Sequence, residues 1–191
     1  MQTTIAPTIT QRLFPKTNHL VRDALLVIGG SLLVAAFAQI RVPLPFTPVP
    51  ITGQTLAVLL VGAALGKNRA GLSMLLYLGM GLAGLPVFAG GAQGLAYMTG
   101  ATGGYLVGFV GAAFVVGWLA EQGFDRDIRT ALLPFLVGEM IIYTFGLIWL
   151  TIYVGDMSSA LSLGFHPFLV GDAIKIALAV LLLPGAWKLV R

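Results

Sequence analysis

Residues 70 to 120 form a run of 51 positions without a single Asp, Glu, Lys or Arg. About 20 helical residues cross the hydrocarbon layer of a bilayer, so a run this long contains at least two crossings. The rest of the chain agrees: 58% of its 191 residues are hydrophobic and 9% are charged, against roughly 25% charge in soluble domains. Its mean hydropathy is +0.94. The sequence is therefore read as an all-α integral membrane protein, a bundle of six transmembrane helices with both termini cytoplasmic. One membrane domain is expected over 1–191, with an N-terminal tail over 1–20 and the bundle over 21–191. The 25 glycines and 10 prolines fit this class, because small residues let membrane helices approach closely.

Apolar periodicity and loop punctuation predict helices over about 21–40, 52–66, 69–89, 104–121, 130–154 and 167–189. The first break, Arg41 to Gly53, holds Pro43, Pro45, Pro48 and Pro50, which favour extended backbone and leave the second helix short. The Gly-rich run from Gly90 to Gly104 predicts a structured loop or re-entrant turn. The polar segment up to Leu20, with no small-residue cleavage pattern after the first apolar run, predicts a retained first span.

Six spans sort nine of the 11 basic residues to one side and leave Lys175 inside the last span. Arg12, Lys16, Arg22, Lys67, Arg69, Arg126, Arg129, Lys188 and Arg191 share that side, which the positive-inside rule makes cytoplasmic. Arg41 stands on the other side, together with the Pro-rich loop, the Gly-rich loop and the segment from Gly155 to Pro167. Basic residues scattered singly between apolar runs form no cationic face for nucleic acid. The absence of cysteine excludes disulfides, thiolate chemistry and Cys-ligated metal sites. His19 and His166 fall on opposite sides and cannot share a metal, and no Walker-type phosphate loop is present. No cofactor is called for.

Within the last apolar stretch, from Met157 to Trp187, only Asp172 and Lys175 are charged. Three residues apart on a helix, they project from one face, and ionised groups inside a membrane mark functional sites or self-compensating pairs. As a site, Lys175 supplies donors and positive charge and Asp172 accepts hydrogen bonds; as structure, the pair pins its helix in the bundle. Gln54, opening the second helix, has an amide suited to a neutral cyclic urea or amide, or else caps the helix. Tyr105 offers a ring and a hydroxyl at the outer start of the fourth helix, either for a ligand or as part of an interfacial aromatic belt. Gln93 in the Gly-rich loop either reaches a ligand or is solvated. Glu139, near mid-depth of the fifth helix, is a protonated carboxyl or a deep partner of Lys175. Ser31 and Ala35 form a small-xxx-small pair on the first helix, which implies close contact within the bundle or docking on a membrane partner.

The chain resembles the BioY family, the biotin-specific substrate-binding (S) components of energy-coupling factor (ECF) transporters. The likeness runs from the first helix to the last. It is carried by Val42-Pro43-Leu44-Pro45-Phe46-Thr47-Pro48-Val49-Pro50-Ile51-Thr52-Gly53-Gln54, by Gly84-Leu85-Pro86-Val87-Phe88-Ala89-Gly90-Gly91, by Thr102-Gly103-Gly104-Tyr105 and by Gly171-Asp172-Ala173-Ile174-Lys175. Ala101 stands where the family usually has Pro, and the first helix lacks a strict Ala-xxx-Ala pair. The resemblance implies a non-enzymatic protein of the prokaryotic plasma membrane that captures biotin at its outer face. It implies Asp172 and Lys175 at the polar heart of the site, Gln54, Gln93 and Tyr105 nearby, and Phe88 on the wall. It also implies partners: a transmembrane coupling subunit and two cytoplasmic ATPase subunits. The alternative within transport is an ion- or proton-coupled secondary carrier of a small anionic vitamin, using Glu139 and Asp172.

Overall fold

The computed structural model describes residues 19–190, the side chains of Pro184 and of residues 186–190 excepted. Residues 1–18 of the expected N-terminal tail, with Arg12 and Lys16, and the C-terminal Arg191 and Lys188 side chain lie outside these described residues, whereas His19 and Leu20, expected in the tail, already belong to the first helix. The elements run α1 (His19–Ala38), β1 (Arg41–Val42), β2 (Ile51–Thr52), α2 (Gln54–Leu65), α3 (Lys67–Leu82), a 3-10 turn (Ala89–Gly91), α4 (Gly94–Met98), α5 (Gly103–Glu121), α6 (Ile128–Val154), α7 (Met157–Gly164) and α8 (Leu169–Val190). The six expected long helices are all present, and α4 and α7 are added in the loops.

Helices α1, α5 and α6 are each long and apolar enough to cross a membrane alone, and α7 with Leu169–Leu183 of α8 makes a fourth candidate span bent by 54°. At 12 residues, α2 rises only about 18 Å. It stops at Gly66, whose φ of +79° is left-handed, and α3 starts at the next residue. Gly117 of α5 packs on this joint, where a Cβ would come 2.5 Å from the Lys67 nitrogen.

The third helix ends at Leu82, seven residues before the expected boundary at 89. Gly84, with φ of +94°, turns the chain out of the helix, and Pro86 prevents its resumption. Phe88 then folds back beneath Gly81, where any side chain would collide with its ring. The Pro-rich loop is closed by a two-residue antiparallel ladder pairing Arg41 with Thr52 and Val42 with Ile51. The segment after Gly155 forms α7, whose first turn is capped by Asp156 accepting from the Ser159 nitrogen at 2.8 Å. Hydrogen bonds from Ser159 hold the Asp156 carboxyl below the usual carboxylate range.

Small residues set the closest helix contact. Gly104 and Gly108 of α5 face Trp149, Phe145 and Ile142 of α6, and Gly146 of α6 lies against the Tyr105 ring. Gly30, Ser31, Val34, Ala35 and Ala38 of α1 are buried, with Gly30 packed on Ser73 of α3, so the Ser31 and Ala35 pair serves contact within the bundle. The outward faces are apolar: Leu25, Met140 and Val170 are 64%, 68% and 74% exposed, which suits lipid rather than water.

Arg22, Asp23, Lys67, Arg69 and Glu121 gather at one end. Asp23 on α1 accepts from Arg69 on α3 at 2.9 Å and from Arg22 at 3.2 Å, and Lys67 lies 3.8 Å from Glu121 at the end of α5. Arg126 and Arg129 adjoin the start of α6 at the same end. The opposite end carries the ladder, the Gly-rich loop, α4 and α7.

Candidate binding cavity

At the end opposite the basic cluster, the starts of α2, α5 and α8 and the middle of α6 surround a cavity. The space free of protein atoms there, open mouth included, is about 530 Å³. Phe109, Ile142, Phe168 and Val49 form its apolar walls, and Asp172, Lys175, Glu139, Gln54 and Tyr143 its polar side.

The pair on α8 anchors the site because one helical turn aligns its two side chains. Lys175 Nζ donates to Asp172 Oδ1 at 2.8 Å and across the cavity to Thr55 Oγ1 on α2 at 3.0 Å. The Tyr143 hydroxyl, from α6, donates to Asp172 Oδ2. Both carboxylate oxygens are thereby engaged, and the ammonium keeps one of its three donors for a ligand. Asp172 is 6% exposed, so these bonds offset the cost of holding charge away from water.

Gln54 is buried and donates from its amide nitrogen to the Tyr77 hydroxyl at 2.7 Å, which leaves its amide oxygen to accept. Its side chain does not cap α2; the Gln54 backbone nitrogen bonds Thr52 Oγ1 at 3.3 Å. Tyr105 is buried and donates to the Gly164 carbonyl at 2.8 Å, so its ring faces the cavity while its hydroxyl ties α5 to the end of α7. Beside it, Thr47 of the Pro-rich loop donates to the Leu163 carbonyl at 2.6 Å. The end of α7 thus fastens two parts of the cavity rim.

Asp172, Lys175, Gln54 and Tyr105 are brought together as cavity lining, and Glu139 joins them. Phe88 stands one layer behind: fully buried, it stacks on Tyr97 with ring centres 5.3 Å apart, and Tyr97 is the residue that reaches the cavity. Gln93 is exposed, at the extended position before α4, and is not among the lining residues. The residues that sequence reading passed over are Thr55, Tyr97 and Tyr143. Tyr143 carried a readable signal, since it lies one turn from Glu139 and therefore on the same face of α6.

A model of the BioY family matches residues 7–191 of the chain. The chain is a member of the BioY family. It is 41% identical over 150 residues to the biotin transporter BioY of Thermotoga maritima, covering 78% of this chain and 86% of that protein. To the biotin transporter BioY of Rhizobium etli it is 35% identical over 173 residues, covering 87% and 91%. The fold of this BioY chain also matches a solved structure, the S-component for biotin from an ECF-type ABC transporter, with a TM-score of 0.77 and 26% identity over 90% of this chain and 94% of that one. Family membership places the chain in the prokaryotic plasma membrane as a multi-pass protein.

Proposed function

We propose that this chain captures biotin at the outer face of the membrane and carries it inward, as the substrate-binding subunit of an ECF-type transporter. Its role is transport and not catalysis. The observation that carries this reading is the Asp172 and Lys175 pair, held inside an apolar-walled cavity at the end of the bundle away from the basic residues. That basic end faces the cytoplasm, because Lys and Arg are retained on that side during insertion. The whole chain acts as one membrane domain.

Biotin combines a ureido ring, an apolar thiophane and a valerate carboxylate. The cavity offers a matching group for each. Lys175 supplies a charged donor, Gln54 an amide acceptor, and Phe109, Ile142 and Phe168 an apolar wall. Tyr105 and Tyr97 add aromatic lining, with Phe88 stacked on Tyr97 from behind. Work for the inward step comes from partners, a transmembrane coupling subunit and two cytoplasmic ATPases, since this sequence holds no phosphate-binding loop of its own.

Isothermal titration of the purified chain in detergent tests the reading. Biotin gives a saturable one-to-one heat without ATP. No heat with biotin, in a preparation that does bind another vitamin, overturns the ligand.

A further inference from the structure

The apolar grooves on the faces of the bundle that meet lipid differ in charge. In the groove between α1 and α3, Arg69 is taken by Asp23 at 2.9 Å. The groove between α3 and α5 has no charged lining residue. Another runs between α6 and α8, walled by Leu132, Leu136 and Met140 on one side and by Ala173, Ile176 and Ala177 on the other. At its basic end stands Arg129, exposed and without an acidic partner in salt-bridge range among the described residues. The nearest acid in sequence, Asp127, is turned to the start of α6, where its carboxylate accepts from the Arg129 backbone nitrogen at 2.8 Å. The guanidinium is thus available, and its planar fork of donors suits a phosphate.

The dimensions match one leaflet. The rise along α6 from Arg129 to Met140 is about 16 Å at 1.5 Å per residue, and half of a roughly 30 Å hydrocarbon core is about 15 Å. Because α6 and α8 pack on each other, the groove is a furrow between adjoining helices. A helix of about 10 Å diameter can only straddle it, whereas a single acyl chain can enter. Basic pockets between membrane helices on the cytoplasmic side recognise lipid head groups. We propose that an anionic phospholipid of the inner leaflet docks here, its phosphate on Arg129 and one acyl chain lying along the furrow toward mid-membrane. A zwitterionic headgroup brings its own cation beside the phosphate and gains less from Arg129. Glu139, Tyr143 and Asp172 line both the furrow and the cavity, so the acyl chain ends directly behind the cavity's polar side. The choice of leaflet rests on the basic end facing the cytoplasm, as proposed above; the chemistry of the furrow does not.

The full chain is placed in nanodiscs of equal phosphatidylglycerol and phosphatidylcholine, and the lipids that stay bound on release are counted by native mass spectrometry. Phosphatidylglycerol is expected to be retained over phosphatidylcholine by about fivefold, the effect of one cation near the membrane surface. Arg129→Gln brings the ratio near one, and Arg41→Gln, at the opposite end, leaves it unchanged. Ala177→Leu, which fills the furrow, lowers retention of both lipids. Equal retention of the two lipids by the unaltered chain overturns the inference. So does a ratio unmoved by Arg129→Gln or lowered as much by Arg41→Gln, and so does retention unchanged in Ala177→Leu. Displacement of the lipid by soluble glycerol phosphate overturns it too, since a bare phosphate then suffices without the furrow. A dimer in the spectrum that Ala177→Leu dissolves assigns the furrow to a second copy of the chain instead. Biotin plays no part in this assay, so its failure leaves the vitamin standing, and labelling of single cysteines reads sidedness separately.

Discussion

The Lys175 ammonium reaches from α8 across the cavity to the Thr55 hydroxyl on α2, 3.0 Å away. Two helices whose contacting residues are 120 apart in sequence are thereby tied across the cavity. The cation is therefore fixed from both sides, by Asp172 on its own helix and by Thr55 opposite, before any ligand arrives. Fixing a long side chain in advance lowers the entropy lost on binding.

Thr55→Val removes the cross-cavity bond while keeping the shape. Biotin affinity is expected to fall by about 1 kcal/mol, roughly fivefold, and Thr55→Ser to restore most of it. Calorimetry on the three proteins side by side measures this; equal affinities for all three would show that the cation needs no help from α2.

Removing either member of the charged pair strands the other. Lys175→Ala and Asp172→Ala are each expected to weaken biotin binding by about 2 kcal/mol or more, at least roughly 30-fold. Unchanged affinity in both variants, measured by titration, would take the pair out of the site.

The α5 and α6 contact depends on absent side chains. A Leu at Gly104 must displace Trp149 or the Phe145 backbone, and overpacking of this kind costs about 1–3 kcal/mol. Gly104→Leu is expected to lower the midpoint of thermal unfolding in detergent. Gly79→Ala, at a position where a Cβ meets nothing within 4 Å, is expected to leave it unchanged or raise it.

Because the chain has no cysteine, single cysteines report sidedness without background. Ser158→Cys in α7 is expected to react with a membrane-impermeant maleimide on intact cells, and Gln122→Cys at the basic end only after lysis. The reverse pattern would invert the bundle and turn the cavity inward.

The main lines of this architecture were readable because local chemistry dictates them. An i, i+3 spacing puts Asp172 and Lys175 on one face of any helix, and the four prolines after Arg41 leave extended backbone as the economical choice. Other features were hidden. Leu82 to Phe88 is apolar throughout apart from Gly84 and Pro86, and apolarity alone does not separate a membrane helix from a buried turn, so the end of α3 was placed too late. Helix α7 is eight residues long, too short for its periodicity to stand out, although Asp156 with Ser159 three residues on is a capping signal. The Tyr143 and Thr55 contacts to the pair span 29 and 120 residues, and no local pattern encodes such separations. Polarity drew attention to Gln93, but the extended backbone there, at φ −157° and ψ 167°, directs the chain along the surface instead of into the cavity.

Helix α2 has a further consequence for transit. Gln54 at its outer end lines the cavity and Leu65 at its other end adjoins the basic face, and 12 residues rise only about 18 Å, well short of the roughly 30 Å hydrocarbon thickness. A molecule resting beside Gln54 is therefore separated from the basic end by the length of one short helix, less than a full hydrocarbon layer.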